Sequence, residues 1–180
     1  MKQLYPPGPN LRFELSGVQI YVNWSLPFLG AGIAYLPAKH AAGSPIANYL
    51  AALISLIGLV VLHELGHAVA ARACSMRVRA IVLSGYGGCC VSDIPSRLSQ
   101  AALVAAGGLL AQVILLGLTI CFLQINGSSS NHAVNSAVFV LVGANIIYML
   151  VNIAPFQGSD GAHLLAIAKQ AFAGGSKRDY

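Results

Sequence analysis

The chain of 180 residues is 57% hydrophobic, has only 8% charged residues and carries a formal net charge of +5. Because soluble domains usually carry about 25% charged residues, this composition excludes an ordinary soluble protein and predicts a membrane protein formed by one domain, residues 1–180. The basic residues flank apolar segments, as membrane anchors do, so the charge predicts contact with the lipid bilayer and no nucleic-acid partner.

Four segments lack Asp, Glu, Lys and Arg and are long enough to cross a bilayer: residues 15–38, 41–62, 98–131 and 133–159. Since about 20 helical residues cross roughly 30 Å of hydrocarbon, we predict spans near residues 23–38, 45–73, 98–125 and 134–156. The first predicted span is the shortest, and it contains two prolines.

Shorter elements are predicted between and beside the spans. Residues 11–22 are rich in β-formers around a Ser16-Gly17 turn and predict a hairpin, and residues 76–84 form a second strand-like run. Residues 160–173 predict an amphipathic segment. The predicted fold class is an all-α membrane protein of about four transmembrane helices, with a small β-hairpin or re-entrant strand element on the cytoplasmic side.

The distribution of Lys and Arg predicts the orientation of the chain. When alternate segments are grouped, nine of these residues fall on the side of both termini, and only Lys39 falls on the other side. The positive-inside rule therefore predicts a multi-pass protein of the cell membrane with both termini in the cytoplasm. The N-terminus lacks the pattern of a signal peptide, so the first span is expected to remain in the mature protein. The four cysteines are interpreted as apolar filler and not as a disulfide framework.

The segment LVVLHELGHAVAA, residues 59–71, places three ionisable residues in the second predicted span. His63 and His67 are four residues apart and share one helix face, so both can bind one metal ion. Glu64 lies beside that face and can reach a water molecule at the metal as general base. The alternative is that these residues cap the cytoplasmic end of the helix. An unpartnered Glu costs a few kcal/mol at this depth, however, which favours a functional role.

Zinc in a hydrolytic site needs a third protein ligand and an open position for water. Asp160, in NIAPFQGSDGAHLL, follows the fourth predicted span on the same side of the membrane as the histidines. His163 is the rival ligand and is ranked second, because a carboxylate completes the common His-His-acid set. Asp93 is on that side too, but in a polar loop. The other role considered for Asp160 is as N-cap of the last helix, which is compatible with metal binding.

With these motifs, the chain resembles the site-2 protease family, the intramembrane zinc metalloproteases, in its compact sporulation-protease-like branch. HELGH resembles the family's zinc motif, and NIAPFQGSDGAHLL resembles its second motif. The segments VNWS, LSGYGG and IPSRLSQAALVAAGGLL are supporting likenesses. The resemblance implies one Zn²⁺ per chain and hydrolysis of a peptide bond in or near a transmembrane segment. The implied substrate is a membrane protein or a membrane-bound peptide.

Two further substrate contacts are expected. Asn152 resembles the Asn of the family's second motif and can donate a hydrogen bond to a substrate carbonyl. The run VRAIVLSGYGGCC is predicted to present a strand edge that holds an extended substrate by β-augmentation. In that run Gly85, Gly87 and Gly88 permit close approach of the backbones. The alternative for the glycines is a surface turn after a strand. Asn145, seven residues before Asn152, is interpreted as a contact between helices.

The chain departs from the family pattern in two places. The third predicted span reads Ala106-Gly107-Gly108-Leu109-Leu110-Ala111, where the family has Ala-Gly-Pro-x-x-Asn. Ala111 therefore replaces the family Asn, and whether the next residue, Gln112, compensates is left open. Ser159 stands before Asp160, where the family often has Pro or Leu.

Two rival functions follow from these features. The first is a catalytically silent membrane protein that binds zinc or clients without cleaving them. The second is a small channel or transporter, which Gly- and Ala-rich spans would suit. That second function leaves the grouping of His63, Glu64, His67 and Asp160 unexplained.

Overall fold

A bundle of helices with one four-stranded sheet makes up the computed structural model, which describes residues 10–15, 17–85 and 87–173. The helices are α1 (Ser25–His40), α2 (Pro45–Ala73), α3 (Leu98–Asn126), α4 (His132–Phe139), α5 (Asn145–Ile153) and α6 (Asp160–Phe172). The strands are β1 (Asn10–Leu15), β2 (Val18–Asn23), β3 (Val78–Ser84) and β4 (Gly87–Ser92). Ser16 of the predicted turn and both terminal tails lie outside the described residues.

Three helices of the described part are long and apolar enough to cross a membrane: α2, α3 and the continuous segment His132–Ile153. The outer face of α3 supports this, since Val113, Ile114 and Leu118 are exposed while Gln112 is fully buried. A helix with its apolar side chains outside and a polar side chain inside is stable when lipid covers the apolar face. The chain is therefore a multi-pass membrane protein. Helix α1 has 16 residues, or roughly 24 Å, and by length it falls short of the hydrocarbon thickness.

The predicted β element proves larger than a hairpin. Strands β1 and β2 form the expected antiparallel hairpin, but β2 also pairs in parallel with β3, and β3 pairs antiparallel with β4. All four strands thus belong to one sheet, in which β4 is an edge strand. The sheet packs on the C-terminal end of α2, where Ile20, Ile81 and Leu83 share a core with Ala68 and Ala71.

Two glycines bring α2 and α3 into backbone contact. A Cβ added at Gly107 would lie 2.6 Å from the Gly66 carbonyl oxygen, and a Cβ added at Gly66 would meet the Gly107 carbonyl. The run of small residues in α3 therefore serves close helix packing. Because the helices touch here, the residues that follow on α3 reach the histidines of α2.

The sequence predicts one helix over residues 134–156. In the structure a π-helical turn, Val140–Ala144, separates α4 from α5, and α5 ends at Ile153. The wider turn changes the angular position of the residues that follow it. Asn145 directly follows the turn and is fully buried. The π-helical turn therefore directs the polar residues of α5 towards the interior of the bundle.

Candidate metal centre

Three side chains from two helices meet at the cytoplasmic end predicted for α2. His63 and His67 lie one turn apart on α2, and Asp160 is the first residue of α6. The two histidine Nε2 atoms are 3.2 Å apart. Asp160 places Oδ2 at 3.4 Å from Nε2 of His63 and Oδ1 at 3.3 Å from Nε2 of His67. Tetrahedral zinc with bonds of about 2.0–2.1 Å needs ligand atoms about 3.3–3.4 Å apart, so this triangle has the required size.

In each histidine ring, the hydrogen bond made by Nδ1 determines that Nε2 is the atom facing the other candidate ligands. Nδ1 of His63 donates to Oε1 of Gln112 at 2.9 Å, and Nδ1 of His67 donates to the Val104 main-chain oxygen at 2.7 Å. Both partners are hydrogen-bond acceptors, so in the neutral rings both Nε2 atoms carry lone pairs. Metal-binding histidines are usually held in this way.

The three residues fit a bound cation. Two nitrogen lone pairs and a carboxylate face one another at hydrogen-bond distance, with no proton on either neutral Nε2 to bridge them. Asp160 Oδ2 is buried and has no hydrogen-bond partner among the described residues. Burying polar atoms without partners costs free energy. A metal ion would coordinate the two histidine nitrogens and the Asp160 carboxylate at once. His63, His67 and Asp160 can therefore hold a metal ion.

The N-cap role considered for Asp160 belongs to its neighbour. Ser159 is the N-cap of α6, and its hydroxyl accepts from the Ala162 amide at 3.1 Å. The departure from the family pattern before Asp160 thus has a local structural function. It starts α6 and leaves the Asp160 carboxylate free to face the histidines.

Glu64 lies next to the ligands but not among them. Its side chain is buried, with 2% of the residue exposed. Its carboxyl group packs against the edge strand, because a Cβ added at Gly88 would collide with it. Glu64, the neighbour of His63 in the sequence, therefore contacts the backbone of β4.

A cavity of about 500 Å³ opens beside these residues. Its lining includes Gly87, Gly88 and Cys90 of strand β4 and Ala166 and Ile167 of α6. An extended peptide added to β4 would lie in this cavity, with its backbone beside Glu64.

The predicted substrate-binding residues fall into two groups. Gly87, Gly88 and Asn152 line the cavity, and the Asn152 Nδ2 atom is buried without a hydrogen-bond partner among the described residues. Gly85 is not a lining residue. Its amide donates to the Ser25 hydroxyl at 3.0 Å and so connects the sheet to the start of α1.

One cavity residue was missed by the sequence analysis. Tyr148 lines the cavity, and its ring centroid is 5.2 Å from that of His63. The available signal was its position on α5, four residues before Asn152 and three after Asn145, which puts all three near one helix face.

The other polar candidates on this side have separate roles. His163 lines the cavity but is not part of the three-ligand group. Asp93 accepts from the Arg79 guanidinium at 2.8 Å and from the Arg77 amide at 3.0 Å. The Arg79 hydrogen bonds hold the pKa of the Asp93 carboxyl below its usual value. Burial raises the pKa of the Cys90 thiol to about 12, and Cys90 is not part of the three-ligand group.

A family model for Peptidase M50B-like proteins matches residues 27–158, which include both histidines. The chain belongs to this family, the site-2 proteases. A Synechocystis sp. protein provisionally named zinc metalloprotease sll0528 is 32% identical over 162 residues, which are 84% of this chain. The match covers 42% of that protein, so this chain spans less than half the length of its curated relative.

The fold agrees with a solved member of the site-2 protease family. The site-2 protease from Methanocaldococcus jannaschii aligns with a TM-score of 0.63 at 20% identity, covering 91% of this chain and 73% of that chain. At this identity the likeness concerns the fold alone. Together, the family membership and the three apolar helices make this chain a multi-pass protein of a membrane metalloprotease family.

Gly108 of α3 lies so close to the candidate ligands that a larger side chain at this position would displace them. A Cβ at this position would lie 2.5 Å from Cε1 of His63 and 2.5 Å from Nε2 of His67. We therefore expect Gly108→Ala to displace the rings, lower the zinc affinity by at least about tenfold and destabilise the fold by roughly 1–3 kcal/mol. Zinc titration and thermal unfolding of the purified protein measure both effects.

Gly117→Ala is the matched control, because Gly117 is on the same helix and a Cβ there has no neighbour within 4 Å. It should bind zinc like the wild type. Equal zinc affinity in the Gly108→Ala protein would contradict the ring positions described above.

Proposed function

We propose that this protein is an intramembrane zinc metalloprotease with one Zn²⁺ per chain. Its substrate would be a membrane protein or a membrane-bound peptide, cut in or near a transmembrane segment. The observation that carries the proposal is the triangle of His63, His67 and Asp160 ligand atoms, which has the dimensions of a tetrahedral zinc site with one position left for water. The buried Glu64 carboxyl next to this triangle supports hydrolysis in particular.

Each residue has a distinct role in the proposed reaction. His63, His67 and Asp160 would hold the metal, which would supply a bound water of lowered pKa, about 7, and a Lewis acid for the scissile carbonyl. Glu64 takes the proton of the attacking water as general base and passes it to the leaving amine. Glu64 projects from α2 against β4, so its buried carboxyl group would lie beside a substrate bound along that strand.

The edge strand supports an extended substrate. A transmembrane helix hides its peptide bonds in its own hydrogen bonds, so the substrate must unwind before it is cut. Strand β4 can supply a replacement set of main-chain hydrogen bonds by β-augmentation. Because Gly88 packs against Glu64, a peptide beside β4 would present its scissile bond near the general base. Asn152 lines the same cavity, and its buried Nδ2 atom could donate to a substrate carbonyl.

Zinc-dependent cleavage is the test of this function. The purified protein in detergent would be incubated with labelled casein, an unfolded chain, and with synthetic transmembrane peptides. We expect cleavage that stops when 1,10-phenanthroline removes the metal and returns when zinc is added. A protein that holds zinc but cuts none of these probes would favour the alternative, a silent protein that binds clients without cleaving them.

The path of α1 supports a fourth membrane crossing. It starts at the sheet, directly after β2, which pairs with β3 near the C-terminal end of α2. Residues 41–44 then connect α1 to the N-terminal end of α2, where a Cβ at Gly43 would lie 3.0 Å from the His132 ring. Helix α1 therefore runs alongside α2 from one end of the bundle towards the other. We propose four crossings, with the sheet and α6 on the cytoplasmic side of the cell membrane.

The orientation yields a prediction of its own. Nine of the ten Lys and Arg residues fall on the side proposed to be cytoplasmic, so both termini are expected there. A reporter fused after Tyr180 should be active only if it works in the cytoplasm, and one inserted in the loop between α3 and α4 only if it works outside. Activity of the opposite reporter at Tyr180 would invert the proposed orientation.

A further inference from the structure

We propose that Gln112 is a positioning residue for the metal centre: its side-chain oxygen holds the His63 ring with Nε2 directed at the ion. The inference rests on the proposed zinc site. In this chain Ala111 stands where the family pattern has Asn. Gln112 sits one residue later on α3, and its side chain is fully buried.

Gln112 and Asn145 form a closed hydrogen-bond pair between α3 and α5. Nε2 of Gln112 donates to Oδ1 of Asn145 at 3.1 Å. Nδ2 of Asn145 donates in return to the Gln112 main-chain oxygen at 3.1 Å. Oε1 of Gln112 is left to accept from Nδ1 of His63 at 2.9 Å. Asn145 is fully buried as well, so this network is shielded from water.

Only one assignment of donors and acceptors is consistent with this hydrogen-bond network. The Gln112 main-chain carbonyl can only accept, so the amide nitrogen of Asn145 must face it, and the Asn145 oxygen must face Gln112. The side-chain nitrogen of Gln112 must then donate to Asn145, which leaves its oxygen for His63. His63 therefore donates through Nδ1 and keeps the lone pair on Nε2, the atom in the ligand triangle. A main-chain carbonyl thus fixes the tautomer of a candidate ligand through two amide side chains.

The two candidate histidine ligands differ in how they are held. His67 is held by the Val104 main chain, which no substitution removes. His63 depends on the Gln112 side chain, and its ring also packs against the Gly108 backbone. Losing such an outer partner typically weakens metal binding by 10- to 100-fold. Because the Gly108 contact remains, we expect a loss of about tenfold for Gln112 variants.

The experiment compares zinc and cobalt binding by the purified full chain with three substitutions. Gln112→Met has similar length and no acceptor, so its zinc affinity should fall about tenfold and its Co²⁺ absorption spectrum should shift. Gln112→Glu keeps an oxygen for His63 and should restore most of the affinity. Asn145→Ala removes the side chain that orients the Gln112 amide but keeps the Gln112 oxygen within reach of His63, so it should lower thermal stability and weaken zinc binding less than Gln112→Met does.

Two results would overturn the inference: wild-type affinity and spectrum in Gln112→Met, or an equal loss in Asn145→Ala, which would make Gln112 a purely structural contact. If Gln112→Met does not fold, Gln112→Asn replaces it, since its shorter side chain keeps an amide but cannot reach His63. Wild-type affinity in Gln112→Asn would also overturn the inference. Absence of zinc from the wild-type protein would instead refute the proposed metal site, so the two failures are distinguishable.

Discussion

Glu64→Gln is expected to reduce cleavage by at least about a hundredfold while leaving zinc bound, because it removes the general base and keeps the size of the side chain. The carboxyl group of Glu64 packs against Gly88 and is not part of the ligand triangle, so an amide should fit the same space. The measurement is cleavage of a co-expressed substrate together with the zinc content of the purified variant.

Glu14→Gln is the matched control for this substitution. Glu14 is exposed on β1, where its carboxylate accepts from the Gln19 side chain. The control should cleave like the wild type. Normal cleavage by the Glu64→Gln protein would show the proposed mechanism to be wrong. Loss of zinc from it would make Glu64 a ligand and require another base.

Asp160→Ala is expected to lose both zinc and cleavage. The substitution removes the only carboxylate of the ligand triangle and leaves two facing nitrogen lone pairs. Helix α6 should still form, because Ser159 and not Asp160 caps it. Zinc content should therefore fall below about a tenth of the wild-type value, in a protein of nearly unchanged circular dichroism.

Asp93→Ala separates this effect from a general loss of negative charge. Asp93 is predicted on the same side of the membrane, but its carboxylate is engaged by Arg79 and Arg77 on the sheet. The variant should retain zinc. If Asp160→Ala retained zinc as Asp93→Ala is expected to, His163 would become the candidate third ligand, because it lies in the same cavity.

The local part of the candidate site could be predicted from the sequence. Helical periodicity alone puts His63 and His67 on one face, since residues four apart are neighbours. The position of Asp160 follows from the number of membrane crossings. Two crossings separate the end of α2 from the end of α5, so both ends lie on the same side of the membrane. Its proximity to the histidines in the structure agrees with that reasoning. The hairpin over residues 11–22 was also predictable, because it is formed by neighbouring segments.

The pairing of strands that are distant in the chain could not be predicted from the sequence. Strands β2 and β3 pair in parallel although two long helices separate them in the chain, and no local pattern reports such a pairing. The contact of Gly85 was equally hidden from local patterns, because its amide donates to the hydroxyl of Ser25, 60 residues away. The contribution of Gln112 depends on the depth and rotation of α3 against α2, which the Gly66–Gly107 contact determines.

The most direct test of the central claim is the zinc content of the purified wild-type protein and of His67→Ala, measured by elemental analysis. The ligand triangle of His63, His67 and Asp160 predicts about one zinc per chain in the wild type and close to none in the variant. Equal zinc in the two proteins, or none in the wild type, would contradict the proposed metal centre.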